Sequence, residues 1–448
     1  MADEQRRTEG RGRRRRRVRR RGIPKPIFVL SGVACTLAVV GLVLAIVRVA
    51  NSGHATSAAS DQQSQQQNAK EQQTNANKSA GKVSFCAVGD NLINAGGEYT
   101  ADLLGLADGW SGTTGDGKYD FSPLYAQLKG TISSYDIALI NQETTLGGTS
   151  QYEYQGYPAY NTPDEVAQAV ADAGFDVVNC NTNHTYDTWT DSIEHAQSVW
   201  AKQPDVTVIG SYSSESDRSN IRVLERNGIK VAFLSYSYGQ NGYTQDDLPN
   251  DYYAVPFDKD KMHDEITRAK ELADAVVVYM HWGEENDHAL SDEQRQYASF
   301  LAGEGVDLVV GSHAHVIQPV EYISRGLQAT TGTGDAQNGM LCVYGLGDFV
   351  SGYTLPKTIL SGMFTCDIVR DDDGGVSIQN PVWHGLVEHN EGTTDTVYEL
   401  SEYTDALAGR NTLLARVGEN DTYTTSDPLA WAKQTTREVV GDAITVEV

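Results

Sequence analysis

Short β-rich runs alternate with helix-like stretches from residue 82 onward. The runs with strand character are 82–89, 137–142, 176–181, 206–210, 229–237, 275–281, 306–311 and 341–346. This alternation predicts a layered α/β fold. Two later runs, 362–370 and 374–383, follow one another without a helix between them and predict an antiparallel portion.

Helix start signals occur between several of these runs. The segments 162–165 (TPDE) and 291–294 (SDEQ) both have the form of a capping box, and the first places Pro at the predicted first helical position. Residues 259–273 place apolar side chains on one helical face. Another helix is predicted near 427–440, within an acidic C-terminal segment, 389–448, that packs on the domain or trails it.

The N-terminal region predicts a membrane anchor. Residues 27–47 are 21 consecutive uncharged positions, close to the roughly 20 that a helix needs to cross a bilayer core. Because the Arg-rich segment 1–26 precedes them, we expect a single-pass plasma-membrane protein with a cytoplasmic N-terminus and an extracellular domain. A cleaved signal peptide is the alternative, although its apolar stretch is usually only about 7–15 residues long. The Ser-, Gln- and Asn-rich segment 48–81 is predicted to be a disordered linker.

Charge is divided unevenly along the chain. The first 50 residues hold 13 Lys/Arg and three Asp/Glu. The remaining residues therefore hold 22 basic and 57 acidic groups, a net charge of −35. A body this acidic argues against a nucleic-acid partner, because such binding depends on a basic surface.

Polar residues that can bind metal ions follow the ends of six predicted strands. They are Asp90, Glu143, the group Asn183, His184 and Asp187, then His281, the pair His313 and His315, and Asp348. In open α/β sheets, ligands bind in the crevice beyond the carboxyl ends of the strands. Each fragment alone is weak, since a Gly-Asp turn or a hydrogen-bonded histidine is common. Together they predict one site.

Six of these residues supply mixed oxygen and nitrogen donors: Asp90, Glu143, Asn183, His281, His313 and His315. If the segment after residue 311 is extended, both imidazoles of the His-x-His pair lie on one face and can reach one centre. This donor set suits Mn, Fe, Co, Ni or Zn better than Ca or Mg. With one carboxylate bridging, it can hold two divalent ions about 3.5–4 Å apart, as in two-metal hydrolysis, and the residual positive charge favours an anionic substrate.

At these residues the sequence resembles the CapA family, the poly-γ-glutamate capsule synthesis proteins, whose domain is similar to a calcineurin-like metallophosphatase. The resemblance covers about residues 82–388 and is carried by these motifs: Gly89-Asp90, Asn141-x-Glu143, Asn183-His184-x-x-Asp187, His281-Trp282-Gly283-x-Glu285, Gly311-x-His313-x-His315-Val316-x-Gln318 and Tyr344-Gly345-Leu346-Gly347-Asp348-Phe349. In the last motif the family usually has Asn in place of Asp348. The resemblance implies an α/β/β/α metallophosphatase-like sandwich behind an N-terminal anchor.

The resemblance also implies roles for the site residues. Asp90 and His315 would bind the first metal, and Glu143 would bridge the two. The second metal would be held by three residues: Asn183, His281 and His313. His184 looks like the general acid, and Asp187 would orient it.

One departure from classical metallophosphatases concerns the first motif. Those enzymes have Asp-x-His, whereas here Asp90 is followed by Asn91 and Leu92. One ligand of the first metal is therefore missing or replaced.

Three functions remain open at this stage. The first is an extracellular metal-dependent hydrolase with two divalent ions (Mn, Fe or Zn) that acts on poly-γ-glutamate, a related anionic polymer or a phosphoester. The second is a non-catalytic accessory subunit of a membrane polymer synthase or exporter. The third is a surface metallophosphoesterase unrelated to capsule.

Two further groups of side chains are assigned to packing. Cys86, Cys180, Cys342 and Cys366 lie in apolar runs and are predicted to be free thiols, although an extracellular location permits disulfides. The four tyrosines of residues 152–160 are predicted to pack around a loop, with a place in the substrate cleft as the alternative.

Overall fold

The structure is a computed structural model that describes residues 81–97, 100–325, 339–416 and 427–448. The predicted cytoplasmic tail (1–26), the predicted transmembrane helix (27–47) and the predicted linker, except for Gly81, lie outside the described residues. Among the helices of the described part, none is both long enough and apolar enough to span a bilayer.

The strands of the described part form two sheets. In chain order the strands are β1 (Lys82–Asn91), β2 (Ile137–Gln142), β3 (Val177–Asn179), β4 (Thr207–Ile209), β5 (Arg222–Arg226), β6 (Ile229–Ser237), β7 (Ala275–His281), β8 (Leu308–Ser312), β9 (Val320–Ser324), β10 (Gly339–Val343), β11 (Asp348–Val350), β12 (Leu360–Arg370), β13 (Val376–Asn390), β14 (Asp395–Glu399) and β15 (Thr445–Glu447). The first sheet has the order β14-β13-β12-β1-β2-β3-β4, with β11 beside β1 and β15 beside β13. The second has the order β5-β6-β7-β8-β10-β9.

The helices lie between the strands or after them. They are α1 (Leu103–Trp110), α2 (Ser122–Tyr125), α3 (Lys129–Ile132), α4 (Glu165–Ala173), α5 (Trp189–Trp200), α6 (Glu215–Arg218), α7 (Lys259–Leu272), α8 (Asp292–Glu304), α9 (Asp405–Ala408) and α10 (Pro428–Val440), with 3₁₀ turns at Gln245–Asp247 and Leu414–Arg416.

Alternating side chains of the central strands divide the core into layers. Phe85 of β1 and Val231 of β6 belong to one buried cluster that joins the two sheets. The next residue along β1, Cys86, points the other way and packs with Val170 of α4. On the second sheet, Val276 of β7 packs with other buried residues under α7 and α8. The period of two in the strands therefore produces the order helix, sheet, sheet, helix.

Both sheets have a parallel centre. Strands β1, β2, β3 and β4 run parallel in the first sheet, as do β6, β7, β8 and β10 in the second. The antiparallel portion predicted near the C-terminal end is present as β12 paired with β13. The α/β class predicted from the sequence is confirmed.

The two capping boxes have different outcomes. Ser291 and Gln294 form the reciprocal bonds of a capping box at the start of α8, as predicted. The box predicted at 162–165 is wrong, because α4 begins at Glu165 without a side-chain cap. Thr162 instead donates its hydroxyl to Thr144, across the loop that follows β2. A tertiary hydrogen bond has replaced the local one.

Candidate metal centre

The six predicted metal ligands converge at the carboxyl ends of β1, β2, β3, β7 and β8. All six are buried. Cross-sheet contacts join them: the His313 backbone N–H donates to Asp90 Oδ2 at 3.2 Å, and His281 Nε2 lies 2.9 Å from Asn183 Oδ1. The placement beyond the strand ends follows from the parallel arrangement of both sheets.

Asp90 is held by the strand next to its own. Asn141 on β2 donates its side-chain N–H to Asp90 Oδ1 at 2.7 Å. The other carboxylate oxygen faces His315, whose Nδ1 is 3.9 Å away. Because β1 and β2 are parallel and Asp90 is registered with Asn141, this contact is built into the sheet.

Glu143 lies at the centre of the cluster, directly after β2. Its Oε1 is 3.8 Å from His281 Nε2 and 3.9 Å from His315 Nε2. Neither of its two carboxylate oxygens has a hydrogen-bond partner in the described part of the chain. A buried carboxylate without a donor is strongly unfavourable, so this position calls for a cation.

The second sheet contributes neutral donors. His281 ends β7, and its Nδ1 lies 3.0 Å from the hydroxyl oxygen of Ser312. His313 Nδ1 is buried and has no hydrogen-bond partner among the described residues. The ring of Tyr238 packs on His313 at a centroid distance of 4.6 Å and shields this side of the cluster.

His315 joins the two sides of the cluster. Its Nδ1 is 2.9 Å from Asp348 Oδ1. One donor atom each of Glu143, His313 and His315 lie within 4.8 Å of one another, and the same is true of Asp90, His315 and Asp348. The described residues thus provide two neighbouring donor groups that share one histidine.

The pKa values of the acidic groups shift in the direction that metal-free burial produces. Burial and the nearby Asp348 raise the pKa of Asp90 to about 6. Burial, followed by repulsion from Asp90, raises the pKa of Glu143 well above its usual range. Burial also raises the pKa of Asp348. A divalent cation would favour the ionised carboxylates and so oppose all three shifts.

The histidines divide into two kinds. Burial and the neighbouring imidazoles lower the pKa of His281 and His313 well below 6.5, so both are neutral, as metal ligands must be. For His315, burial also lowers the pKa, but Asp348 and Glu143 outweigh it and raise the pKa well above 6.5.

These residues fit a metal centre by their own geometry and chemistry. Carboxylates, imidazoles and an amide oxygen converge, and several of their buried atoms lack any partner among the described residues. Oxygen and nitrogen donors together are typical of divalent transition metals. The arrangement therefore supports divalent metal binding.

His184 and Asp187 lie beside this cluster. His184 Nδ1 is 2.7 Å from Asp187 Oδ2, which also accepts the backbone N–H of Tyr160 at 2.6 Å. Both side chains are nearly buried. The Tyr160 ring meets His184 edge-on at 4.7 Å. The histidine is thus fixed in orientation, with its Nε2 3.4 Å from the side-chain nitrogen of Asn241.

A cavity of about 550 Å³ opens beside His315. Its lining includes Tyr157, Glu285, Asn286 and Tyr353. Tyr157 is 71% exposed, so part of the tyrosine cluster lines a cleft and does not pack around its loop. Tyr160 does pack, against His184 and the hydroxyl of Tyr353. The cluster predicted to serve packing is divided between the two uses.

The expected extended conformation of the His-x-His pair is wrong. His313 and His315 have φ values of +96° and +56° and lie in the turn that follows β8. Non-glycine residues rarely adopt these values, and strain of this kind is frequent at functional sites. The imidazoles still meet at the cluster, but the turn brings them there.

Several residues of the site were not assigned from the sequence. Asp348 is expected at a strand end as a residue that can bind a metal but is not among the six predicted ligands, and four others have no predicted role: Ser312, Asn241, Tyr238 and Tyr353. Ser312 could have been suspected, because it lies between two motif residues. Asn241 lies in a loop without a motif, and only the tertiary structure reveals its contact with His184.

The predicted free thiols are confirmed for the described cysteines. Cys86, Cys342 and Cys366 are buried in strands, and Cys180 lies directly after β3; none forms a disulfide.

The match to a family model identifies the class of protein. The model for the bacterial capsule synthesis protein PGA_cap matches residues 84–353, more than half of the chain. This chain belongs to that family. The resemblance inferred from the strand-end motifs is therefore confirmed.

Two curated relatives have names related to capsule synthesis. The PGA biosynthesis protein CapA of Bacillus subtilis (strain 168) is 30% identical over 216 residues, which cover 48% of this chain and 52% of that protein. The capsule biosynthesis protein CapA of Bacillus anthracis is 29% identical over 202 residues, which cover 43% and 45%. The chain thus spans about half the length of the curated relatives it matches.

Similarity to solved structures is weaker. The NAD nucleotidase of Haemophilus influenzae aligns with a TM-score of 0.37 and 13% identity, over 80% of this chain and 66% of that one. A putative 5'-nucleotidase from Staphylococcus aureus aligns with a TM-score of 0.38 and 12% identity, over 79% and 58%.

Proposed function

We propose that the chain is a metal-dependent hydrolase that acts in the synthesis, export or processing of an anionic capsule polymer. Two divalent transition-metal ions (Mn, Fe or Zn) would be held by the six predicted ligands: Asp90, Glu143, Asn183, His281, His313 and His315. The observation that carries the proposal is the buried convergence of these donors, in which both oxygens of Glu143 and Nδ1 of His313 lack partners among the described residues.

Individual residues of the chain would have separate roles in the proposed hydrolysis. When bound, divalent ions supply Lewis-acid activation and neutralise developing negative charge. Glu143 would lie between the two ions, since its Oε1 is 3.8 Å from His281 Nε2 and 3.9 Å from His315 Nε2, and these two histidines are assigned to different ions. His184 would donate a proton to the leaving group, and Asp187, 2.7 Å from it, would hold the imidazole in the productive orientation.

The family and the cavity support an anionic polymer as the substrate class. Both curated relatives carry names that refer to capsule or PGA biosynthesis, so poly-γ-glutamate or a related anionic polymer is our first candidate substrate. The cavity beside His315 is open enough to admit a chain segment. The Lys357 ammonium donates to the backbone carbonyl of Asn286 at its edge and is a cation near the opening.

A direct test measures metal content and hydrolysis with the purified full chain. We expect about two divalent ions per chain and cleavage of a γ-glutamyl polymer or of a generic phosphoester. His184→Ala should lower the rate by about 10²–10⁴-fold, the usual contribution of a general acid, and leave metal content unchanged. His263→Ala is a matched control, because that side chain is exposed and lies on α7, where it pairs with Glu304.

The outcomes separate the candidate activities. Cleavage of the polymer supports the capsule hydrolase, whereas cleavage of phosphoesters alone supports a surface metallophosphoesterase. Absence of bound metal, together with equal inactivity of the wild type and His313→Ala, would contradict both.

A non-catalytic role has one specific observation in its favour. The position of the missing first-motif histidine is occupied by Leu92, which is wholly buried. The protein could then be an anchored accessory of a polymer synthase or exporter. If a chain with both His184→Ala and His281→Ala restores surface polymer to a deletion strain, this role is supported. Loss of polymer at normal protein levels would count against it.

We also propose that residues 27–47 anchor the chain in the plasma membrane with the domain outside. The apolar length of the segment and the basic residues before it support this orientation. Leu272 is 52% exposed at the end of α7, and the described cysteines are largely buried. Leu272→Cys should therefore react with a membrane-impermeant maleimide in intact cells, and Arg13→Cys should not. The reverse labelling pattern would overturn the proposed orientation.

A further inference from the structure

Asp348 lies directly beside Asp90 in the first sheet. The two residues are registered neighbours on the parallel strands β1 and β11. The Asp90 backbone N–H donates to the carbonyl oxygen of Gly347 at 3.1 Å. This close approach requires glycine at position 89, because a Cβ there would lie 1.8 Å from the same oxygen. The sequence around both aspartates therefore brings two carboxylates side by side.

Such a pair is costly unless something positive lies between the carboxylates. Both aspartates are fully buried, and like charges in adjacent positions of a sheet repel each other. Asp348 Oδ1 is close to His315 Nδ1, but Asp348 Oδ2 is buried without a hydrogen-bond partner in the described residues. One histidine supplies at most one positive charge for the carboxylates around it.

The distances are those of donors around a single ion. His315 Nδ1 is 2.9 Å from Asp348 Oδ1 and 3.9 Å from Asp90 Oδ2. One donor atom of each of these three residues lies within 4.8 Å of the others. Atoms that each lie about 2.0–2.2 Å from one metal are separated by about 3–4 Å.

The first motif does not supply the third donor. Leu92 occupies the position of the usual histidine and is apolar. The side chain of Asn91 is engaged elsewhere, because it donates to Gln142 at 2.8 Å and accepts from the Tyr125 hydroxyl at 3.0 Å. The carboxylate of Asp348 can therefore take the ligand position that the first motif leaves unfilled.

We propose that Asp348 completes the first metal site, in place of the histidine that the first motif lacks. This inference rests on the two-ion centre of the proposed function and adds a ligand to it. The segment after Asp348 is fixed in place, since Glu388 accepts the backbone N–H groups of Gly352 and Ser351 at 2.7 and 3.2 Å. The donor is therefore held in position before any ion binds.

Asp348→Asn separates direct ligation from mere orientation of His315. Asparagine keeps an oxygen that can accept a hydrogen bond from Nδ1–H, so an orienting role would survive the change. The negative charge and the free carboxylate oxygen would not survive it. Asparagine is also nearly the same size, which protects the packing around β11.

The experiment titrates the chelator-stripped full chain with Mn²⁺ and counts bound ions by equilibrium dialysis. Wild type should bind two ions. Asp348→Asn should bind one with unchanged affinity and the other at least about tenfold more weakly, since even supporting groups of metal sites contribute 10–100-fold. Asp372→Asn makes the same substitution at an exposed residue of the turn between β12 and β13, outside the cavity lining, and should bind both ions within about threefold of wild type.

Thermal unfolding of the metal-free proteins tests whether the variant is folded. Metal-free Asp348→Asn should still unfold cooperatively, because relief of the repulsion with Asp90 offsets the loss of the charge pair with His315. If the variant binds both ions within about threefold of wild type, Asp348 is not a ligand, and the proposed two-metal function stands without it. If wild type itself binds no metal, the proposed function and this inference both fail. If wild type binds two ions tightly but shows no hydrolysis, only the proposed catalytic activity is contradicted.

Discussion

The metal centre has a carboxylate side, which the first sheet contributes, and an imidazole side, which the second sheet contributes. Burial shifts the pKa values on these two sides in opposite directions. The first sheet contributes Asp90 and Asp348, two buried carboxylates in neighbouring positions. The second sheet contributes His281 and His313, two buried imidazoles. Without a cation, burial raises the pKa values of the acids and lowers those of these two histidines. As the pH falls, the carboxylates therefore take up protons early, whereas these two imidazoles stay neutral.

This difference explains how a centre with so many buried polar groups can fold. Each side avoids charge in its own way when no ion is present, the acids by taking up protons and the histidines by staying neutral. Glu143 lies between the sides, with no donor of its own among the described residues. Metal binding should therefore couple strongly to stability, because the ions bind the folded chain and replace the missing partners.

The largest effect is expected at Glu143, where the two sides meet. Glu143→Gln removes the carboxylate whose Oε1 lies 3.8 Å from His281 Nε2 and 3.9 Å from His315 Nε2, and these two histidines are assigned to different ions. We expect both ions to bind more than about a hundredfold more weakly, beyond the loss that supporting residues usually cause. Equilibrium dialysis with Mn²⁺ measures this directly. Loss of only one ion would show that Glu143 belongs to one side and does not bridge.

The second effect concerns stability against pH on the carboxylate side. The pKa of Asp90 rises from 3.8 to about 6 on folding in the absence of metal. The unfolded chain therefore releases this proton more readily, and the folded state loses stability as the pH rises from about 4 to above 6. Metal-free Asp90→Asn should consequently be up to about 3 kcal/mol more stable than wild type near pH 7.5. The gain should disappear near pH 4.

The imidazole side has the opposite sign and provides the control. Its histidines have folded pKa values well below 6.5, so the unfolded chain binds more protons as the pH falls below that value, and the folded state is destabilised there. Urea unfolding of chelator-stripped wild type and Asp90→Asn across pH 4–8 gives both trends. A stability difference that does not change with pH would contradict the assignment of the shift to Asp90.

The position of the site could be predicted from the sequence because it depends only on which residues follow the apolar strand runs. Polar residues that follow apolar runs must meet if the runs are parallel, and Asp90, Glu143 and His281 all lie at such ends. The start of helix α8 could also be predicted, since its capping signal is local in the sequence. Patterns of this kind need no knowledge of which strand pairs with which.

What the sequence could not provide depends on tertiary contacts. The strand β11 has three residues, and its pairing with β1 depends on one close approach at Gly89. No periodicity reveals so short a strand, so the sequence places Asp348 among the metal-capable residues at strand ends but does not pair it with Asp90. Thr162 failed as a cap for a related reason, because a distant hydroxyl competed for it.

A smaller effect is expected from a residue that supports the imidazole side. Ser312→Ala removes the hydroxyl 3.0 Å from His281 Nδ1, which fixes the ring while Nε2 faces the cluster. We expect one ion to bind about tenfold more weakly and the other to bind normally. Ser361→Ala is the control, because that buried hydroxyl has no hydrogen-bond partner in the described part. Equal losses of metal affinity in the two variants would contradict a specific role for Ser312.

The smallest effect is expected at the side chain of Asn241, whose contacts are long, although the Asn241 backbone N–H donates to the Asn183 carbonyl oxygen at 2.9 Å. Its amide lies 3.3 Å from the Asn183 side-chain nitrogen and 3.4 Å from His184 Nε2, near the limit for a hydrogen bond. Contacts of this length contribute less than the usual net value of about 1 kcal/mol, so Asn241→Ala should change Mn²⁺ affinity and turnover by no more than about threefold. A change comparable to that of Ser312→Ala would mean that the loop carrying Asn241 closes on the centre and shortens these contacts when the ions are bound. The imidazole side would then depend on a movable residue, whereas the carboxylate side is fixed by strand pairing.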